Sequence, residues 1–440
     1  MRKRLKALAV AVAALAAVPA AAQVEVDVVG GISAPLGIAI PAMPPPAPQS
    51  TPAGSTDALG RQLAEIVTND LRNSGLFKPA GPESLRPVPF DQVTAPDFSY
   101  WGGTGASALV QGFVRANGDG TLTVGCYLYD VFAKTELTRQ GFVVPPSDWR
   151  RAAHKCADTV YTRLSGEGPY FDSRIVYVSE TGPKAKRTKR LAIMDQDGAN
   201  HRFLTNGQSI VLTPRFAPYQ QQIVYMSYVG DRPALYVYDM GSGRQRRLVT
   251  GNNLTFAPRV SPDGRWVIFS MAVSGNTDIY RVGIDGGAPQ RLTDSAGIDT
   301  GGSYSPDGRR IVFESDRSGT QQLYIMNADG SGQQRISFGG GRYATPAWSP
   351  RGDLIAFTKL GGGFNIGIMS PSGGGEKLLT EAWGDEGPSW SPNGRVLTFY
   401  RASQGSGKAD VWSVDLTGVN ERRIPTPLDG SDPSWGPLRP

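Results

Sequence analysis

Apolar and polar residues alternate in short runs along the last two-thirds of the chain, and these runs recur in one repeating unit. The cleanest copy, residues 305–348, begins with the turn sequence Ser-Pro-Asp-Gly and continues through apolar runs at 311–313 and 322–326. Proline sets φ at the first turn position, and glycine accepts the positive φ at the end of the turn. Short alternating runs between turns are typical of strands. Each unit therefore predicts four short antiparallel strands.

The units follow one another at the spacing of β-propeller blades. Their anchor turns lie 44, 44, 44, 42 and 45 residues apart, which is in the range of four-stranded blades. The anchor prolines are Pro218, Pro262, Pro306, Pro350, Pro392 and Pro437.

The two ends of the repeat are incomplete in complementary ways. Its first copy, at residues 175–177, has no innermost strand before it, and its last innermost strand, at residues 433–435, has no blade after it. We predict that the last strand enters the first blade, which gives six blades and protects the open sheet edges. An open solenoid is the alternative, and its missing terminal caps argue against it.

Ahead of the repeat, the pattern predicts a small domain of mixed structure. Apolar residues at helical spacing predict one helix from Ser55 or Thr56 to about Ser74, and a second helix over 148–164 with Ser147 as its cap. Alternating runs predict strands over 107–114, 121–131 and 136–143. A proline-rich segment at 41–52 predicts an exposed loop in the polyproline conformation. We predict an α+β domain over residues 23–165, followed by an all-β propeller over residues 166–440.

The first residues have the pattern of a secretory signal peptide over 1–22. A basic start precedes an apolar run at 7–18 and the small residues of a cleavage site. A membrane anchor is the alternative, but the apolar run is short for a span. We therefore expect an exported chain without membrane insertion, in an oxidising compartment. Its new N-terminus alternates valine with polar residues from Val24 to Asp27, which predicts an extended arm.

Composition and charge give no case for a nucleic-acid partner. The formal net charge of +6 includes four basic residues of the predicted signal peptide. Its removal leaves 41 basic and 39 acidic residues, a net charge of +2. A nearly balanced surface lacks the positive field that nucleic acids attract.

The chain has two cysteines, Cys126 in a predicted strand and Cys156 in a predicted helix. Each has apolar neighbours on the face that should form the interface between sheet and helix. In an exported protein we favour a disulfide between them over two buried free thiols. A zinc site is the third reading, but His154 is the only further ligand nearby.

Signatures of catalysis are missing from the sequence. No G-x-S-x-G nucleophile elbow occurs, and the two histidines, His154 and His201, lie on either side of the domain boundary without a positioned nucleophile. The glycine runs lack the Lys-Ser/Thr of a phosphate loop. We expect no enzyme activity, cofactor or metal. Four aromatic residues near the anchors are interpreted as core between blades rather than as a ligand cage: Tyr304, Trp348, Trp390 and Trp435.

In a propeller, the loops that lead into the innermost strands meet at one mouth of the channel. Their hydroxyl and acidic residues suit partner recognition, although solvated loops are the alternative. The candidate contact residues are Leu212, Thr213, Leu254, Thr255, Asp299, Thr300, Thr345, Asp385, Glu386 and Asp432.

The arm, the α+β domain and the six blades together resemble the TolB family, the periplasmic component of the Tol–Pal system of Gram-negative bacteria. The helix that ends with Asp-Leu-Arg-Asn-Ser-Gly at 70–75 is similar to that of the family's N-terminal domain. The resemblance covers essentially the whole mature chain. Two features depart from the family pattern: a long proline-rich loop at 41–54, and Gly301-Gly302 where a blade usually has proline.

The resemblance implies a periplasmic, non-enzymatic interaction protein, which we expect to be a monomer. It implies that the propeller mouth docks the lipoprotein Pal and that the arm, through Val24, Glu25, Val26 and Asp27, engages TolA. The implied role supports outer-membrane integrity and constriction during cell division. A small-molecule or glycan-binding propeller is the alternative, and a lyase or peptidase propeller is the competing enzyme class.

Overall fold

The computed structural model describes residues 34–219, 221–230 and 232–440. The predicted signal peptide and the predicted arm lie outside the described residues. The strands of the N-terminal domain are β1 (Leu36–Ala39), β2 (Ser50–Thr51), β3 (Gly54–Ser55), β4 (Phe77–Ala80), β5 (Ala108–Ala116), β6 (Leu122–Asp130) and β7 (Thr135–Val144). Its helices are α1 (Thr56–Asn73), α2 (Phe98–Gly102) and α3 (Trp149–Ser165).

The N-terminal domain is a five-stranded sheet in the order β4-β1-β5-β6-β7. Strand β1 runs parallel to β4 and β5, and the remaining pairs are antiparallel. Helices α1 and α3 cover one face, where their apolar stripes form a continuous core with inward residues of the sheet. Helix α2 packs on the other face, with Trp101 buried beside Leu109 and Tyr129. The predicted α+β character is confirmed.

The ends of the two long helices follow from local chemistry. Ser55 caps α1 by accepting a hydrogen bond from the Ala58 N–H at 3.2 Å. Gly75 follows the helix with φ 77°, a left-handed conformation that glycine adopts without strain. Helix α3 begins after Asp148 rather than at the predicted cap Ser147, which lies in a 3-10 turn over Pro146–Asp148.

The start of the proline-rich segment is not an exposed loop as predicted. Met43 is buried, and its N–H donates to the Gly60 carbonyl of α1 at 3.1 Å. A Cβ atom at Gly60 would lie 1.8 Å from the Met43 carbonyl oxygen. The absence of a side chain at residue 60 therefore lets this segment pack directly on the helix.

The propeller has six four-stranded blades, as predicted. Blade 1 contains β8 (Ser173–Thr181), β9 (Thr188–Asp195) and β10 (Arg202–Phe203), and blade 2 contains β11 (Val211–Phe216), β12 (Gln222–Val229), β13 (Arg232–Asp239) and β14 (Gln245–Arg247). Blade 3 contains β15 (Thr255–Val260), β16 (Trp266–Val273), β17 (Asn276–Gly283) and β18 (Gln290–Arg291). Blade 4 contains β19 (Asp299–Tyr304), β20 (Arg310–Ser315), β21 (Gln322–Asn327) and β22 (Gln334–Arg335).

The remaining strands belong to blades 5 and 6 and to the closing strand. Blade 5 contains β23 (Arg342–Trp348), β24 (Ile355–Leu360), β25 (Phe364–Met369) and β26 (Lys377–Leu378). Blade 6 contains β27 (Asp385–Trp390), β28 (Val396–Ala402), β29 (Ala409–Asp415) and β30 (Arg422–Arg423). The last strand, β31 (Asp429–Leu438), pairs antiparallel with β8 and completes blade 1. The predicted closure by the C-terminal strand is therefore present.

The Ser-Pro-Asp-Gly anchor is a hydrogen-bonded turn. In blade 4, the Ser305 hydroxyl donates to Asp307 Oδ1 at 2.5 Å and accepts from the Arg310 N–H at 2.9 Å. Ser261 makes the same pair of contacts in blade 3, and Ser391 makes them with Asn393 in blade 6. The repeat is visible in the sequence because this kind of turn joins the first two strands in blades 2 to 6.

Each innermost strand bends at one residue near its start. The register slips there by a bulge, and the residue is left-handed in all six strands. These residues and their φ values are Thr213 (49°), Ala257 (50°), Gly301 (68°), Thr345 (49°), Gly387 (69°) and Asp432 (49°). We call the channel end where the innermost strands begin the upper mouth, and the end where they finish the lower mouth.

The N-terminal domain sits on the lower side of the propeller. Asn420, in the turn after β29, donates to the Asn73 carbonyl at 2.6 Å, and Asn393, in a blade 6 anchor turn, donates to the Gly168 carbonyl at 2.8 Å. Both turns lie at the end where innermost strands finish, since successive strands in a blade alternate in direction. The upper mouth therefore faces away from the N-terminal domain.

Candidate functional site

Most of the predicted contact residues surround the upper mouth. Leu212, Thr213, Thr300, Thr345, Glu386 and Asp432 are at or next to the bulges and are partly exposed. Leu254 is 40% exposed and lies just before β15. These seven residues form the upper rim.

Three other predicted contact residues are buried inside the blades. Thr255, Asp299 and Asp385 are at most 2% exposed. Asp299 pairs with Arg317 at 2.7 Å, and Asp385 holds Arg401 in a two-bond contact at 2.6 and 2.8 Å. These two carboxylates anchor β19 and β27 within their own blades. They are therefore not exposed for contact with a partner.

A belt of hydrogen bonds fixes the upper rim from blade to blade. In four blades, the N–H of the left-handed residue donates to a side chain of the preceding blade. The four contacts are Thr213 to Asp432 Oδ2 (3.3 Å), Gly301 to Ser270 Oγ (3.2 Å), Thr345 to Glu314 Oε2 (2.8 Å) and Gly387 to Thr358 Oγ1 (3.2 Å). The rim is therefore held in place before any partner arrives.

Acidic side chains gather just inside the upper mouth. Burial raises the pKa of Glu386, and the neighbouring Asp432 carboxylate raises it further. Burial also raises the pKa of Glu314, whose Oε1 accepts from the Thr300 hydroxyl at 2.6 Å. Glu314 is not among the predicted contact residues. The sequence feature that could have identified Glu314 is an acidic residue directly after the apolar run 311–313. The equivalent residues of other blades are Met226, Ser270, Thr358 and Tyr400.

The four aromatic residues near the anchors pack between blades at the lower end. Trp348, Trp390 and Trp435 are each 6–7% exposed. The Trp390 indole N–H donates to the Ala347 carbonyl of blade 5 at 2.9 Å. The Trp435 indole N–H donates to the Ser173 hydroxyl at 2.8 Å within blade 1.

Two family models match the chain. One is described as the TolB amino-terminal domain and matches residues 24–137, and the other is described as the TolB beta propeller domain and matches residues 161–439. The chain belongs to the TolB family. The predicted family is thereby confirmed.

Relatives of known name and a solved structure agree with this assignment. The Tol-Pal system protein TolB of Rhizorhabdus wittichii is 78% identical over 440 residues and is covered completely, as is this chain. The protein of the same name from Zymomonas mobilis is 76% identical over 416 residues, which are 94% of this chain and 91% of the relative. The crystal structure of TolB from Acinetobacter baumannii has a TM-score of 0.79 and 27% identity, covering 92% of this chain and 97% of that one.

The two cysteines of this TolB-family protein join β6 to α3. The Cα atoms of Cys126 and Cys156 are 5.7 Å apart and their sulfur atoms are bonded. Both residues are buried in the core beneath α1 and α3. The bond therefore ties the central part of the sheet to the helix that packs on the propeller.

A buried ionic cluster joins the two TolB domains. His154 Nδ1 of α3 lies 2.6 Å from Asp70 Oδ2 of α1. From the propeller, the Gln196 amide donates to Asp70 Oδ1 at 2.8 Å, and Asp197 Oδ2 lies 3.9 Å from His154 Nε2. Arg150 pairs with Asp197.

The same cluster is the one place in the described ranges where acidic and histidine ligand atoms lie close enough to hold a metal ion. The ligand atoms of Asp70, His154 and Asp197 are within 4.8 Å of one another. Their existing contacts with each other, with Gln196 and with Arg150 are those of an interdomain ion network. No helix within the described residues is long and apolar enough to cross a bilayer.

Proposed function

We propose that this TolB-family protein is a non-enzymatic, periplasmic interaction protein of the Tol–Pal system. In this role it supports outer-membrane integrity and constriction during cell division. The observation that carries the proposal is the match, at 78% and 76% identity over nearly the full length, to relatives named Tol-Pal system protein TolB. Both domains of the family are present, and so are the arm residues in the sequence.

The lipoprotein Pal docks at the upper rim in this proposal. The rim combines hydroxyl, carboxylate and apolar side chains on six equivalent bends, and the belt between blades holds them in place. A surface that is already ordered loses little conformational freedom when it binds. The rim also faces away from the N-terminal domain, so a partner can reach it without displacing that domain.

The arm engages TolA in this proposal. Valine alternates with acidic residues from Val24 to Asp27, a pattern that suits addition of a strand to the edge of a partner's sheet. Pal and TolA would then bind at different places on the molecule, the upper rim and the N-terminus.

The Pal site is tested by substituting two rim residues. Thr300→Arg and Glu386→Arg each place a bulky cation on the rim, which removes a contact and introduces a repulsive or unpaired charge. We expect each to weaken Pal binding by about 1–3 kcal/mol. Isothermal titration calorimetry with purified Pal measures the change.

Glu83→Arg is the matched control for Glu386→Arg, because Glu83 is exposed on the N-terminal domain and the charge change is the same. We expect its affinity for Pal to equal that of the parent protein. Unchanged affinity in both rim variants, with intact melting temperatures, would place the Pal site elsewhere.

A further inference from the structure

A cavity of about 570 Å³ lies at the lower mouth, at the opposite end of the channel from the upper rim. Its wall is built from the last residues of all six innermost strands and from the anchor prolines. Rings contributed by five blades line it: Phe216, Tyr304, Trp348, Trp390 and Trp435. Cavities of about 300–1,000 Å³ with apolar walls and a few polar groups are the usual sites of small ligands.

Two arginines break the symmetry of this cavity. Arg215 and Arg259 occupy equivalent positions on β11 and β15, two residues after the bulge. The other four blades place small residues there: Ser303, Ala347, Ser389 and Ser434. Two neighbouring blades therefore direct a pair of cations into a cavity whose remaining wall is mostly rings and hydroxyls.

Neither arginine has a carboxylate partner among the residues that the structure describes. Among the described residues, no acidic oxygen lies within 4.0 Å of either guanidinium group. Within the same residues, the Arg215 side chain donates only to the neighbouring Pro214 carbonyl at 2.7 Å, and the Arg259 side chain makes no hydrogen bond. Burial lowers the pKa of Arg259 well below its usual value, and the Arg215 cation lowers it further. Burial also lowers the pKa of Arg215.

The acidic groups that act on these arginines from farther along the channel are committed to the belt. Glu314 attracts Arg259, but its two oxygens accept from the Thr300 hydroxyl and the Thr345 N–H. Asp432 attracts Arg215 and accepts from the Thr213 N–H. Because a guanidinium group stays charged in proteins and both arginines are partly screened from solvent inside the channel, an anion between them would be stabilised by both charges.

We propose that the lower-mouth cavity binds a small organic anion. A carboxylate or phosphate group lies between Arg215 and Arg259, whose forked donors match the geometry of both groups. The planar or apolar remainder of the ligand lies against the rings of Trp348, Trp390 and Trp435. The site is separate from the upper rim, so it does not depend on the function proposed above.

The probes for this site are 3-phenylpropionate, phenyl phosphate and the neutral 3-phenylpropionamide. Each is titrated into the mature protein while tryptophan fluorescence is followed, because three tryptophans line the cavity, and calorimetry gives the affinities. We expect at least one anion to bind at least about tenfold more tightly than the amide. The tighter of the two anions tells whether the natural ligand carries a carboxylate or a phosphate.

Variants locate the anion. Arg259→Gln and Arg215→Gln should each weaken anion binding at least about tenfold, whereas Arg259→Lys should keep part of it. Arg309→Gln is the matched control, since Arg309 is exposed in an anchor turn outside the cavity wall, and its binding should be unchanged. Both Gln variants should melt no lower than the parent protein, because each removes a cation that has no partner.

Three results would overturn the proposal. The first is equal affinity for the amide and the anions. The second is a loss of binding in Arg309→Gln as large as that in Arg259→Gln. The third is the absence of saturable binding by all three probes to the folded parent protein.

Discussion

At the scale of single residues, the sequence identified side chains that are polar and repeated, but not their long-range partners. The sequence shows only that His154 lacks a positioned nucleophile, whereas the structure shows it buried against Asp70, 84 positions earlier, and facing Asp197 of the propeller. Glu314 was missed because its partners, Thr300 and Thr345, belong to two different strands. Such pairs are decided by how elements meet in space, and helical or strand periodicity carries no information about that.

The His154 cluster makes stability depend on pH. Burial alone would lower the pKa of His154, but the Asp70 carboxylate outweighs it, and with Asp197 and Asp195 raises the pKa to about 9. An unfolded histidine titrates near about 6.5. The stabilisation by protonated His154 is therefore complete below about pH 6.5 and is lost as the pH rises through about 9.

We expect the free energy of unfolding to fall by about 1–3 kcal/mol between pH 7 and pH 9.5. Urea denaturation at several pH values measures it. His154→Gln should be less stable than the parent protein at pH 7 and should lack most of this decline. Parallel pH profiles for the two proteins would show that His154 is not the titrating group.

At the scale of elements, the alternation of apolar and polar residues predicted the strands. It could not predict which residues near the start of each innermost strand face the channel, because a bulge changes the register there. The left-handed residue lies five positions before the anchor proline in all six blades, as in Thr213 and Pro218. The predicted contact residues Thr213, Thr345 and Asp432 are in this register, whereas Thr255 lies two positions before the left-handed residue of its strand. A bulge adds one residue to one strand, so a pattern of period two cannot show which side chains face the channel beyond it.

The proposed contact between the arm and TolA can be tested by removing the arm alone. We expect deletion of residues 23–28 to abolish TolA binding while the melting temperature and Pal binding stay nearly unchanged, because a six-residue arm has no core of its own. Val26→Pro should act like the deletion, since proline removes a donor from the ladder of a paired strand. Calorimetry with purified TolA measures both.

Val26→Thr is the matched control for the proline variant. It keeps the branched shape and the backbone donor, so it should retain most TolA binding. Normal binding by the truncated protein would refute the arm proposal, and unfolding of the N-terminal domain on truncation would instead make the arm a strand of that domain.

At the scale of the whole molecule, the repeat spacing was sufficient to predict six blades and their closure. The anchor turns mark the blades, and the first copy of the repeat lacks the innermost strand that the last copy has in excess. The position of the N-terminal domain on the lower side could not be predicted in this way. It depends on individual contacts such as that of Asn420, whose side chain lies 3.0 Å from where a Cβ atom of Gly75 would be.

Substitution of Trp435 tests how much the closing strand contributes to the stability of both domains. It is 6% exposed, packs edge-on against Tyr170 with ring centres 5.9 Å apart, and belongs to the core shared by the two domains. We expect Trp435→Ala to destabilise the protein by about 3–5 kcal/mol, as for other buried aromatic residues. Chemical denaturation followed by circular dichroism measures the loss.

Trp383→Ala is the matched control, because Trp383 is 48% exposed in the loop that leads into blade 6. Its cost should be about 1 kcal/mol or less. Equal losses in the two variants would mean that closure contributes no more than an ordinary surface contact.

The pairing of β31 with β8 also sets the order of events when the chain is made. Trp435 pairs with Ile175, so blade 1 lacks its innermost strand until residues 429–438 have been synthesised, although its other strands emerge first. Contacts between residues so far apart in the chain form slowly, and an unpaired strand edge invites pairing with other chains in the meantime. A newly made chain therefore passes through a stage with five complete blades and one open seam, when it depends most on protection from aggregation.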